Sequence, residues 1–210
     1  MFIRYIPVPQ SSPRDGHAAD TVLIHWTGGT GDAEAAARYF NNLHEFGEDE
    51  PRKPNGSYHG TIGRDGAMVQ MVELDRAAWH AGDGDGHLWD GPVPPPRPGR
   101  RVNLRSVGLA LCNRGPLDVA SGGVAARHDK PGVRWPAFEP YPDAQIWALK
   151  TWLAELVTRL PTLRWICGHE DITAGKADPG PLFPWDELSL ADLGLQRVRR
   201  RWLSGLWEVL

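Results

Sequence analysis

The stretch Gly168-His169-Glu170-Asp171-Ile172-Thr173-Ala174-Gly175-Lys176-Ala177-Asp178-Pro179-Gly180-Pro181 carries an imidazole, an ammonium and a carboxylate on a segment too rich in Gly and Pro to be a helix. Asp178 follows His169 by nine residues, enough chain for a loop to return to its starting point. Far upstream, His25 closes the apolar run Thr21-Val22-Leu23-Ile24. Two histidines and one carboxylate can hold a zinc ion and leave the fourth position open for water, the pattern of a catalytic rather than a structural zinc site. Lys176, just before Asp178, would set a fixed positive charge beside that water. Taken singly, each histidine is an ordinary polar residue at a strand end. His25, His169, Asp178 and Lys176 taken together point to a metal centre.

The elements that must deliver these groups follow from pattern. Residues 21–26 form a short β-branched run, expected as a buried strand that ends on His25. Residues 32–43 are alanine-rich and predict a helix, with Ala36, Tyr39, Phe40 and Leu43 as its apolar positions. Residues 59–72 predict a β-hairpin, with Asp65-Gly66 suited to a type I′ turn. Residues 107–112 predict a second buried strand and residues 164–167 a third, which delivers Gly168-His169. Residues 143–160 give the clearest helix, with Ile146, Leu149, Leu153, Leu156, Val157 and Leu160 at 3/4 spacing. Residues 47–56 and 82–101 are loops, the latter long and rich in Gly and Pro. Residues 185–210 predict two short helices. Strands alternating with helices imply an α/β fold, one domain with a central mixed β-sheet flanked by helices. The expected division is a catalytic domain over 1–187, including an N-terminal arm over 1–19, and a C-terminal helical extension over 188–210.

The chain has 210 residues, 41% hydrophobic and 23% charged, as expected of a globular domain with a sizeable core. A formal net charge of −3 argues against a general nucleic-acid binder. No apolar run is long enough to span a bilayer. The N-terminus shows no signal-peptide pattern, so the expected location is the cytoplasm, or the cell wall if the protein is a phage lytic enzyme. Cys112 and Cys167 each lie in an apolar run and are read as buried small hydrophobes, with a disulfide between them left open. Ten tryptophans are unusual, and exposed ones often line sugar or peptide grooves.

The chain resembles the zinc-dependent N-acetylmuramoyl-L-alanine amidases, a family that includes muropeptide-recycling amidases, phage lytic amidases and peptidoglycan recognition proteins. The resemblance rests on Ile24-His25-Trp26-Thr27, on Ser57-Tyr58-His59 with Gly63-Arg64-Asp65-Gly66, and on Ala78-Trp79-His80-Ala81-Gly82. It continues over residues 103–113 and through Gly168-His169-Glu170-Asp171 to Lys176-Ala177-Asp178-Pro179-Gly180-Pro181-Leu182-Phe183-Pro184-Trp185. It implies an amidase/peptidoglycan-recognition-like fold, Zn2+ held by His25, His169 and Asp178, and Lys176 stabilising the oxyanion that forms as a lactyl-amide carbonyl becomes tetrahedral. It implies hydrolysis of the bond between N-acetylmuramic acid and L-alanine, with peptidoglycan or a muropeptide as substrate. A binding module without turnover and a zinc hydrolase of another peptidoglycan amide are the alternatives.

One position departs from the recycling branch, where a glutamate stands in the strand matching Val107-Gly108-Leu109-Ala110-Leu111; here it is Ala110. The lytic branch instead uses a tyrosine before the hairpin histidine, and Tyr58 stands there. With an unperturbed pKa near ~10, a phenol suits orienting the water better than deprotonating it. His80 and Trp79 are the expected substrate-binding residues, His80 toward the stem peptide or the oxyanion. His59 is either structural or a support to the site. Glu170 and Asp171 either orient the ligand loop or cap a turn. Trp89 could border the groove, and Trp185 is expected to pack. The basic segment 197–207 reads as an amphipathic helix, packed on the domain or making weak contact with an anionic envelope surface.

Overall fold

A computed structural model describes residues 3–42, 54–82, 101–201 and 206–210. Its elements are β1 (Arg4–Tyr5), β2 (Ser11–Pro13), β3 (Thr21–Trp26), α1 (Ala33–Asn41), β4 (Gly60–Ile62), β5 (Met68–Gln70), β6 (Arg76–Ala78), α2 (Arg101–Arg105) and β7 (Ser106–Leu111). There follow β8 (Val124–Ala125), β9 (Ala137–Phe138), α3 (Asp143–Arg159), β10 (Trp165–Gly168), α4 (His169–Ile172), β11 (Gln196–Arg201) and β12 (Leu206–Val209). The main sheet has eight strands in the order β1-β5-β4-β7-β3-β10-β11-β12. It is mixed: β4, β7, β3, β10 and β11 run parallel, while β5 and β12 pair antiparallel with β4 and β11.

The sequence runs read as buried strands are the centre of this sheet. Every residue of β7 is buried, as is all of β3 but Trp26, because parallel strands are covered on both faces. Successive side chains alternate between those faces. Val22 and Ile24 of β3, Val107, Leu109 and Leu111 of β7, and Ile166 of β10 join one cluster with Ile146, Leu149, Trp152, Leu153 and Leu156, the apolar stripe of α3. Leu23 and Cys167 belong to a different cluster, with Ala81, Val102, Ile172 and Val198. His25, two residues past Leu23, therefore lies on the face away from α3. Gly108 and Ala110 share that face by the same alternation. On β4 the close approach of α3 requires a glycine: a Cβ on Gly60 would stand 1.9 Å from the Trp152 ring.

Three expectations are corrected. Among the described residues, segment 185–210 is helical only in two short 3-10 turns, Trp185–Leu188 and Leu190–Leu193; its arginines lie on β11, and β12 follows. β11 pairs with β10, so these residues extend the sheet rather than form a helical extension, and among the described residues of 197–207 there is no amphipathic helix. The arginines misled because they are not on one solvated face: Arg197 and Arg200 are buried, and Arg197 bonds Asp171 at 2.9 Å. The hairpin turn is not type I′, since only Gly66, at φ +85°, has positive φ there, and its N–H bonds the Gly63 carbonyl.

Cys112 and Cys167 are buried free thiols. Among the described residues no helix is long and apolar enough to cross a membrane. Trp89, most of the two loops and Trp202 lie outside the described residues.

Candidate metal and catalytic site

Neighbouring strands bring the two distant histidines together. In the parallel register of β3 and β10, Ile24 stands beside Gly168, so His25 and His169 are each the next residue on. Asp178 returns because the Glu170 N–H donates to the Asp178 carbonyl at 2.7 Å, closing the loop that the glycines and prolines allow. His25 Nδ1, His169 Nδ1 and Asp178 Oδ2 then form a triangle with every edge 3.1 Å. All three residues are buried, and among the described residues this is the one group of His, Cys, Asp and Glu side chains arranged to hold a metal ion.

Hydrogen bonds fix which atom of His25 is free. The Ser106 hydroxyl donates to the Val102 carbonyl at 2.5 Å, so its oxygen accepts from His80 Nε2 at 3.0 Å. His80 Nδ1 is then the acceptor for His25 Nε2–H, also at 3.0 Å. With its proton on Nε2, His25 presents a bare lone pair on Nδ1 to the triangle. Burial and the neighbouring His169 hold the His25 imidazole down at about 4, so it is neutral near pH 7. Burial alone would raise the Asp178 carboxyl, but His169 and His25 hold it far below the ordinary carboxylate range. The donor set is thus two imidazoles, that of His25 neutral, and a carboxylate. Zinc ligands at 2.0–2.1 Å in a tetrahedron would stand roughly 3.3 Å apart, close to the observed edges. The residues fit such an ion.

The triangle adjoins a cleft of about 410 Å³ lined by Phe40, Tyr58, Trp79, His80, His169 and Lys176. The Tyr58 ring lies 5.1 Å from that of His25 and 5.6 Å from that of Phe40. Burial and the Asp178 carboxylate push its phenol above its usual value, so it stays protonated. Lys176 is exposed on the cleft wall, and Trp79 is 39% exposed. Of the sequence-derived site residues, His25, His169, Asp178, Tyr58, Lys176 and Trp79 are therefore brought to one place. His80 is there too, but both its ring nitrogens are engaged by His25 and Ser106. Its bond to His25 Nε2 ties that ring in place.

Ala110 lies beside His25 in the register of β3 and β7, fully buried, so no carboxylate stands at that point. His59 is structural: its Nδ1 accepts from the Gly108 N–H at 3.0 Å, and its Nε2–H faces the Arg76 carbonyl at 3.0 Å. Asp171 accepts from the Gly168 N–H at 2.8 Å and from Arg197, and so caps the start of α4. Glu170 accepts from the Gly180 N–H at 3.1 Å and so ties the ligand loop. Trp185 packs, with the Arg197 guanidinium 3.4 Å above its ring. A larger hollow of about 890 Å³ lies on the far side of the ligand loop, against Glu170, Asp171, Trp185 and Arg197, away from Tyr58 and Lys176.

Sequence reasoning missed Ser106, Asn103, His128 and Lys130. Asn103 Oδ1 accepts from the N–H groups of His80 and Ala81, which sets where the His80 ring begins. Asn103 and Ser106 fall in the 103–113 stretch of the resemblance but no role attaches to them there, and His128 and Lys130 carry no motif of their own. Only the alternation in β7, which turns Ser106 to the His25 face, marked one of them.

Residues 15–181 match the sequence family described as N-acetylmuramoyl-L-alanine amidase. The chain is 33% identical over 127 residues to the N-acetylmuramoyl-L-alanine amidase AmiD of Escherichia coli (strain K12), covering 60% of this chain and 38% of that protein. It is 32% identical over 126 residues to the 1,6-anhydro-N-acetylmuramyl-L-alanine amidase AmpD of Enterobacter cloacae, covering 59% of this chain and 50% of that one. The match thus spans half or less of the length of these two relatives. A crystal structure of an AmpD derivative superposes with a TM-score of 0.59 at 25% identity, over 91% of this chain and 93% of the other. The Escherichia coli AmiD structure, in complex with the substrate anhydro-N-acetylmuramic acid-L-Ala-D-gamma-Glu-L-Lys, has the same fold, with a TM-score of 0.54 at 24% identity over 90% of this chain and 61% of the other.

Proposed function

The chain belongs to the N-acetylmuramoyl-L-alanine amidase family, and on that premise we propose that it hydrolyses the amide between N-acetylmuramic acid and L-alanine in peptidoglycan or muropeptides. The observation that carries this reading is the triangle of His25 Nδ1, His169 Nδ1 and Asp178 Oδ2, with 3.1 Å edges, beside a cleft that also holds Lys176 and Tyr58. His25, His169 and Asp178 would hold Zn2+, which when bound would supply Lewis acidity and lower the pKa of water toward ~7.

This chain's own groups do the rest. The lactyl carbonyl enters the cleft toward Lys176, whose ammonium stabilises the negative charge that develops on oxygen as water adds to the carbon. Tyr58, still carrying its proton, orients that water by a hydrogen bond, which suits a phenol pushed above its usual pKa and spares the site the carboxylate that Ala110 cannot supply. The C–N bond breaks, the hydroxyl stays on the lactyl carbon, and the remaining proton ends on the L-alanine amine. Trp79, exposed at the cleft, contacts the glycan or the stem peptide.

The test is digestion of intact sacculi and of soluble anhydro-muropeptide, each with and without a chelator, followed by mass spectrometry. Release of intact stem peptide with a free L-alanine amine, abolished by the chelator, is expected. A cut within the stem, turnover that survives complete metal removal, or no product from either substrate overturns the proposal. The preferred substrate of the two separates a muropeptide-recycling role from a wall-lytic one.

A further inference from the structure

The arc between His169 and Asp178 is held from outside by a residue far from it in sequence. Lys130 lies on the segment between β8 and β9 and is 3% exposed. Its ammonium donates to the carbonyls of Glu170 at 2.8 Å, Thr173 at 2.5 Å and Lys176 at 2.6 Å. The three hydrogens of an ammonium thus meet three acceptors, each three residues further along the arc. Two of them, Glu170 and Thr173, belong to the end of α4, where carbonyls lack partners within the helix. The third is the main chain of Lys176 itself.

The same segment makes a second tie. The Lys130 N–H donates to His128 Nδ1 at 3.1 Å, which leaves the proton on His128 Nε2 to bond the Glu170 carboxylate at 2.8 Å.

We propose that Lys130 is a positioning residue for catalysis, fixing the main chain of residues 173–176 so that the Lys176 ammonium is presented to the cleft at one place. Lys176 is exposed and carries a flexible four-carbon stem, so the precision of its charge depends on where its backbone is anchored. Burying an ammonium is costly, and an apolar side chain of like volume would pack without that cost. The three carbonyl bonds are what an apolar residue could not provide. Burial chiefly, with Arg200 adding to it, draws the Lys130 group down to about 8 against the nearby Glu170, Asp171 and Asp178 carboxylates, which act the other way.

The inference rests on the reading that Lys176 stabilises the oxyanion, and the experiment separates the two. Lys130→Met, Lys176→Met and the double variant are assayed on soluble anhydro-muropeptide, with zinc content and melting temperature measured for each. Lys130→Met is expected to lower kcat about tenfold or more with KM little changed and zinc retained, because the group misplaced is the one that acts in the transition state. In the Lys176→Met background the same change is expected to cost nothing further, the signature of two residues acting as one unit. A loss of equal size in both backgrounds overturns the inference, since it assigns Lys130 to general stability. An unchanged kcat in Lys130→Met overturns it as well. If Lys176→Met alone leaves kcat intact, the role of Lys176 fails first and takes this one with it. Should Lys130→Met not fold, Lys130→Arg replaces it in both backgrounds. Its planar fork keeps the charge but cannot address three divergent carbonyls, so a smaller loss with the same dependence on Lys176 is expected, and an additive loss refutes the inference.

Discussion

Replacing His80 by alanine removes the acceptor for His25 Nε2–H and leaves that donor inside the protein with no bond. A buried donor stripped of its partner costs about 1–3 kcal/mol. The protein can avoid that cost by moving the proton to His25 Nδ1, but Nδ1 is the atom that must stay bare to bind a metal. Either way the penalty falls on the zinc-bound state. At about 1.4 kcal/mol per factor of ten, zinc affinity is expected to fall roughly 5- to 150-fold. That range overlaps the 10- to 100-fold typical when a group behind a metal ligand is removed. The assay is competition for zinc against a chromophoric chelator at fixed pH. Stability is followed separately, because the His80 ring also packs on Gly108, where an added Cβ would come within 2.5 Å of it, and its loss lowers stability whether or not metal is bound. His80→Asn places an amide oxygen near the position of Nδ1 and is expected to recover most of the affinity while losing the Ser106 bond. His80→Ala with wild-type zinc affinity, or His80→Asn no better than His80→Ala, refutes the assignment of the His25 proton.

Two further outcomes are expected. Tyr58→Phe keeps the ring packed between His25 and Phe40 but removes the hydroxyl, so turnover should drop about tenfold or more while zinc affinity holds; near-normal turnover removes Tyr58 from the mechanism. Gly60→Ala sets a methyl 1.9 Å from a Trp152 ring that is itself buried, so it should cost about 1–3 kcal/mol or more and lower the melting temperature by several degrees; an unchanged melt means that α3 shifts freely over β4.

Much of the site was legible because its chemistry is carried by strand ends. The apolar runs ending at His25 and His169 are short and unbroken, and parallel strands buried on both faces leave that trace. Strand β3 has the limits the sequence predicts, and α3 agrees to within a residue. What was missed depends on partners that no local pattern announces. For His80, a histidine beside a tryptophan and a glycine offers no hint that its two nitrogens bond Ser106 and another histidine. Lys130 has no local signal, since its three acceptors are main-chain carbonyls at least 40 residues away. The tail was misread because an arginine-rich stretch suggests a solvated helix. Arg197 instead finds a carboxylate in Asp171 and a ring in Trp185, and Val198 enters the core.

That tail bears on where the folding unit stops. The family match closes at residue 181, yet β10, which delivers His169, has β11 as its outer neighbour. A chain cut at the edge of the match would leave the nearly all-buried backbone of β10 as an open rim, with unmet N–H and C=O groups and apolar side chains. Such a rim is a template for pairing with other chains. β11, with the short β12 paired antiparallel beyond it, covers that rim. Its buried Arg197 fastens the cover to the ligand loop through Asp171.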